Sequence, residues 1–158
     1  MTMARIGAGT GLFTLSFSQA VGPNGKVYAV EIAKNFLEHI KARAAKANAS
    51  NVETILCTEK SVELPEASID LAFICDVYHH FEFPTATLAT LHKALKPGGE
   101  VVLIDFKRIP GVSSDFVMGH VRAGQDVVES ELSAAGFEKT AEVTDILKEN
   151  YFVRFRRK

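Results

Sequence analysis

Gly7, Gly9 and Gly11 alternate along Ile6-Gly7-Ala8-Gly9-Thr10-Gly11, directly after the short apolar run Thr2 to Ile6. Glycines at every second position let a backbone turn sharply from a strand into a helix, and they leave no Cβ between the main chain and a ligand lying across it. Roughly 20 residues later, the run Val27-Tyr28-Ala29-Val30 ends on Glu31, which sets a carboxylate at the tip of the next strand. A strand, glycine turn, helix and second strand in that order point to a parallel sheet covered by helices.

The same alternation continues to about Phe106. Strands are expected at Thr2 to Ile6, Lys26 to Glu31, Val52 to Cys57, Ile69 to Cys75 and Glu100 to Phe106. Ala33 to Ala47 is expected as a helix that lays Phe36, Leu37, Ile40 and Ala44 on the sheet. Another follows Pro84, with Leu88, Leu91 and Leu95 on one stripe and Pro97-Gly98-Gly99 as its stop. Ile69 to Cys75 is almost continuously apolar, so this strand is expected to be buried on both faces at the centre of the sheet. Beyond Phe106 come a connection with glycine and proline, a helix from Gln125 to Ala135, and two strands, Phe137 to Thr144 and Tyr151 to Phe155.

Four segments in this order resemble the class I, Rossmann-like S-adenosylmethionine (SAM) methyltransferases: the glycine loop, Glu31, Ile69 to Phe81 with its Asp76-Val77-Tyr78-His79-His80 turn, and Leu95-Lys96-Pro97-Gly98-Gly99 before Val101 to Ile104. The resemblance implies an α/β fold of three layers, α/β/α, with a mostly parallel sheet closed by a C-terminal antiparallel hairpin, and a single domain over residues 1–158. It also implies SAM as cofactor, with S-adenosylhomocysteine as product. Gly7, Ala8, Gly9, Thr10 and Gly11 would line the methionine side, and Glu31 with Ile32 the ribose. Glu59 would take the adenine amino group, Asp76 and Val77 would meet the cofactor near its methyl group, and His79 or His80 would serve as base. A nicotinamide or flavin dinucleotide site would need a glycine where Leu12 stands.

The chain departs from the family pattern at its start. The position that normally bears an acid is Arg5, and only four residues precede it. The resemblance therefore implies an N-terminally truncated member in which Arg5 opposes the positive groups of SAM or swings into solvent on its long stem. The alternative reading is a SAM- or S-adenosylhomocysteine-binding, or dimeric structural, module with weak or no activity. Apolar surface without its usual cover leads to the expectation of a homodimer, with the first strand and Ile109 to Val121 as contacts.

Methyl transfer from a sulfonium is an in-line displacement, so alignment supplies much of the acceleration and a base is needed only if the nucleophile must lose a proton. His120 falls where this fold commonly places acceptor-binding residues. With 158 residues and a net charge of −1, the chain has no long-range attraction to nucleic acid or anionic membrane. A small-molecule acceptor is expected, as is a cytoplasmic location. Cys57 and Cys75 have no partner at metal-ligand spacing, so no metal is expected and both read as reduced core thiols.

Overall fold

In the computed structural model, which describes residues 1–158, seven strands join into one sheet. They are β1 (Thr2–Ile6), β2 (Lys26–Glu31), β3 (Val52–Leu56), β4 (Ile69–Cys75), β5 (Leu95–Phe106), β6 (Phe137–Val143) and β7 (Asn150–Arg157), and they lie in the order β3-β2-β1-β4-β5-β7-β6. All neighbours among β1 to β5 run parallel, while β7 is antiparallel to both β5 and β6. The strand order reverses between β1 and β4, and the crevice above that reversal is where an open α/β sheet holds its ligand. The helices are α1 (Thr14–Val21), α2 (Lys34–Lys46), α3 (Pro84–Ala94), α4 (Asp115–His120) and α5 (Gln125–Ala134). None of them is long and apolar enough to cross a membrane.

Alternation along the strands divides the sheet into two unequal faces. On one, Ala72, Ile74, Leu103 and Val153 meet Leu88 and Leu91 of α3 and Val128 and Leu132 of α5, all in one continuous core. On the other, α1 and α2 pack on β2 and β3. No helix covers β4, β5 and β7 to the same extent there, and Leu71, Phe73, Ile104 and Phe152 stay half-buried. Burial of β4 on both faces is therefore corrected to one: Ala72 and Ile74 are fully buried, whereas Leu71, Phe73 and Cys75 are not. An apolar run records which residues tolerate burial, and the amount of helix available decides which receive it.

Two boundaries also move. Leu95 leaves α3 and pairs with Ile69, so β5 starts before Pro97-Gly98-Gly99 and crosses a bulge between Ile69 and Leu71. Ladder pairing outcompetes a last helical turn that proline would end in any case. The connection after Phe106 contains the short helix α4, whose N-terminus is capped by Ser114 accepting from the Val117 N–H. The first strand lies between β2 and β4 with both edges paired, so it offers no contact surface to a second chain.

Asp70 clamps the base of the sheet. Its carboxylate accepts from the Thr2 N–H at 2.8 Å and the Lys96 ammonium at 2.9 Å, joining the starts of β1, β4 and β5. The Thr2 hydrogen bond, then Lys96, holds its carboxyl below the usual range. A lowered pKa contributes stability above the ordinary carboxylate value of about 4, and that contribution is lost as pH falls through the lowered value. Asp70→Asn should destabilise the fold at neutral pH by on the order of 1 kcal/mol or less for so exposed a pair, with a correspondingly lower melting temperature. Melts recorded from pH 7 down to pH 3 should show the gap from wild type narrowing; a gap independent of pH would rule the charge out.

Candidate active site

Where β1 ends, Gly7, Gly9 and Gly11 all take left-handed φ, but the space around them differs. A Cβ on Gly7 would lie 2.5 Å from Val77 Cγ1, and one on Gly11 would lie 2.9 Å from Ile40 Cγ1. A Cβ on Gly9 would meet no protein atom within 4 Å. Gly7 and Gly11 thus let the loop pack onto its neighbours, while Gly9 shows bare backbone to open space. Glu31 fixes the loop. Its Oε2 accepts from the Gly9 N–H at 2.7 Å, and its Oε1 accepts from the N–H groups of Ile32 at 2.8 Å and Ala33 at 3.1 Å. A carboxylate accepts about four hydrogen bonds, so one direction is left for another donor.

A cleft of about 510 Å³ opens at the carboxyl ends of β1, β2, β3 and β4. Gly7, Gly9, Glu31, Ile32, Glu59, Asp76, Val77 and His80 line it, as do Phe36, Cys57, Thr58, Val62 and Phe81. The remaining site residues expected from the sequence lie elsewhere. Ala8 is buried with Ala29 and Ile40, Thr10 is exposed with its carbonyl accepting from Arg43, and Gly11 faces α2. His79 is buried behind the cleft wall. Phe36 sits one position off the helix face that covers the sheet: Leu37, Ile40 and Ala44 are buried, whereas Phe36 turns into the cleft. Cys57 follows β3 and borders the same space; burial, then the Glu31 charge, pushes its thiol up to about 11, so it stays protonated.

Arg5 does not reach the cleft, and it does not swing into solvent either: it is 6% exposed. Its guanidinium donates to the carbonyls of Ile6 and Cys75 and lies 5.7 Å and 5.4 Å from the ring centres of Phe13 and Phe73. Desolvation lowers its pKa, and the nearby Cys75 and Asp76 partly offset this. A planar cation between two aromatic faces, with backbone oxygens at its edge, is a packed structural element.

Asp76 closes β4 with φ of 54° and accepts from the Asn150 Nδ2 at 2.8 Å, so it joins the β4 tip to β7 and does not cap the turn that follows. That turn is a single 3-10 helix, Tyr78–His80. With three residues per turn, it sends them in three different directions. Tyr78 enters the core and donates to Glu131 Oε2 at 2.6 Å; His79 pairs through Nδ1 with Asp105 Oδ1 at 2.8 Å; His80 faces the cleft. Burial, then His79 and His120, holds the His80 imidazole below its usual value.

Residues 4–103 match the family described as the methyltransferase domain. The ubiquinone/menaquinone biosynthesis C-methyltransferase UbiE of Burkholderia orbicola is 28% identical over 104 residues, 66% of this chain and 42% of that protein. The demethylmenaquinone methyltransferase of Lactococcus lactis is 31% identical over 97 residues, 61% of this chain and 38% of that protein. The chain thus spans less than half the length of these curated relatives. Among solved structures, a SAM-dependent methyltransferase from Aquifex aeolicus superposes with a TM-score of 0.88 at 24% identity, covering 99% of this chain and 81% of that one. The [4+2]-cyclase SpnF superposes at 0.85 with 13% identity, over 99% of this chain and 74% of that one. A methyltransferase and a cyclase on one fold mean that architecture alone does not fix the reaction. The family match across the glycine loop, Glu31 and the β4 turn does fix the kinship: the chain belongs to the class I, Rossmann-like SAM-dependent methyltransferase domain family.

Proposed function

We propose that this chain transfers a methyl group from SAM to a small-molecule acceptor within the cleft, working as one domain over residues 1–158 and in the cytoplasm. The observation that carries this reading is the join between Glu31 and the Gly9 N–H at the cleft mouth, which leaves a carboxylate direction free beside bare backbone. The residues fit the cofactor. Glu31 would hold the ribose hydroxyls, Ile32 and Phe36 would flank the adenine, and Glu59 would accept from its amino group. Gly7, Gly9, Asp76 and Val77 would border the methionine end. When bound, SAM supplies an electrophilic methyl group on a sulfonium.

The protein's own part is to align the acceptor and exclude water. His80, unprotonated at neutral pH, would accept a proton at its ring nitrogen if the acceptor carries one. The names of the curated relatives make demethylated quinones the first acceptors to assay. The charge objection behind the reading as an inactive module loses force, because Arg5 is turned away from the cleft and held by Phe13, Phe73 and two carbonyls.

Calorimetry with SAM and S-adenosylhomocysteine tests the site. Glu31→Ala should weaken both by roughly 1 to 3 kcal/mol, and Gly9→Val should abolish binding by filling the space over the loop. Unchanged affinity in both variants would show that the site is misassigned. Arg5→Ala should leave the ratio of the two affinities unchanged while lowering stability by about 1 to 3 kcal/mol in urea melts, since two carbonyls lose their donor. A changed ratio would put the Arg5 charge back in the cleft.

We also infer a homodimer, supported by the half-buried Leu71, Ile104 and Phe152 on the less covered sheet face and by the exposed Ile109, Val112 and Phe116. Sedimentation at micromolar concentration should give a dimer that Phe152→Lys dissociates. A monomeric wild type would end this inference.

A further inference from the structure

The turn that sends His80 to the cleft also brings three imidazoles together. His79, His80 and His120 each offer a ring nitrogen, and these atoms all lie within 4.8 Å of one another. Their ring centres are 4.1 Å apart for His79 and His80, 5.1 Å for His79 and His120, and 4.9 Å for His80 and His120.

His79 makes this more than a stack of rings. Its side chain is 3% exposed, and its Nδ1 faces Asp105 Oδ1 at 2.8 Å across a carboxylate that is 2% exposed. Asp105 is held in turn, accepting from the backbone N–H groups of His79 at 3.0 Å and Phe106 at 2.8 Å. Nε2, on the other side of the ring, is buried with no hydrogen-bond partner. A buried imidazole nitrogen without a partner forfeits a hydrogen bond that almost every such group makes, and it calls for an explanation. A carboxylate on one ring nitrogen and a bare second nitrogen facing other imidazoles is the arrangement by which proteins orient a metal-ligating histidine.

We propose that His79, His80 and His120 bind one divalent transition-metal ion of the zinc type, with Asp105 orienting His79. Three imidazoles with no thiolate suit zinc, copper, iron or nickel and do not suit magnesium or calcium, which take oxygen ligands. Metal–nitrogen bonds of about 2.0–2.1 Å put tetrahedral ligand atoms about 3.3 Å apart, so the most widely separated nitrogens must draw together by up to about 1.5 Å. His79 is fixed, whereas His80 and His120 are exposed and free to make that adjustment. Three protein ligands leave the fourth position open, as in catalytic rather than structural zinc sites. His80 also borders the cleft, so an ion held by it would lie close to the cleft wall. An ion held by His80 would take the one ring nitrogen that can accept a proton, so His80 serves one role or the other; metal binding itself does not depend on the methyl-transfer reading, and the two are tested separately.

The full-length chain, stripped with chelator, is titrated with Co²⁺ and followed by visible absorption, then back-titrated with Zn²⁺. The expected result is a saturable four-coordinate Co²⁺ band at one ion per chain that Zn²⁺ removes. His120→Ala, at an exposed helix end, should weaken binding at least tenfold with an unchanged circular dichroism spectrum. Asp105→Asn should weaken it by about 10- to 100-fold. A Cys57→Ser, Cys75→Ser double variant should keep the band. The proposal is overturned if no saturable band forms by millimolar Co²⁺, if His120→Ala binds as wild type does, or if the band disappears with the cysteines.

Discussion

The carboxylate of Glu31 determines the shape of the functional end of this protein. It is 7% exposed and takes N–H groups from the loop after β1 and from the two residues that lead into α2. Those donors lie outside the strand ladders and the helix, and the carboxylate supplies their partner. A negative charge at the entrance to a helix is also favoured by the helix dipole. One side chain therefore sets the turn, the start of α2 and the cleft mouth together. A ligand hydroxyl arriving there adds to hydrogen bonding already in place, and little of the loop has to be ordered on binding.

The sheet has an unusual load to carry. Its core face is covered by α3 and α5, while on the opposite face α1 and α2 lie mainly over β2 and β3. An aromatic group partly compensates. Phe17 and Phe73 meet edge-on at 4.9 Å, Phe13 meets Phe73 at 5.5 Å, and Arg5 lies against the rings of Phe13 and Phe73. The guanidinium also donates to the carbonyls of Ile6 and Cys75, which a purely apolar side chain would not do. This accounts for a cation at the end of a central strand, a place where most charged residues would be unstable.

Much of this was legible in the residues. The glycine spacing, the acid closing β2 and the apolar strands depend on local rules, and the sheet and hairpin follow from them. What stayed hidden depends on neighbours far along the chain. Phe36 reads like its helical neighbours until the cleft position relative to α2 is known, and Cys57 reads as core until the end of β3 is seen to border a cavity. The fate of Arg5 required Phe13 and Phe73, which come from different elements. The two adjacent histidines could be recognised as facing different ways, but the partner of His79 is Asp105, 26 residues away on β5. Sequence periodicity carries no information about that pairing.

The contact between Gly7 and Val77 joins the loop after β1 to the turn after β4, so closely that a single methyl group would not fit between them. The two walls of the cleft are thus one mechanical unit. Close-packed atoms transmit displacement with little loss, so pressure on the loop at one end reaches the turn that holds His80 at the other. Occupancy at the glycine end would be felt at the histidine end through rigid contact, with no hinge and no moving domain.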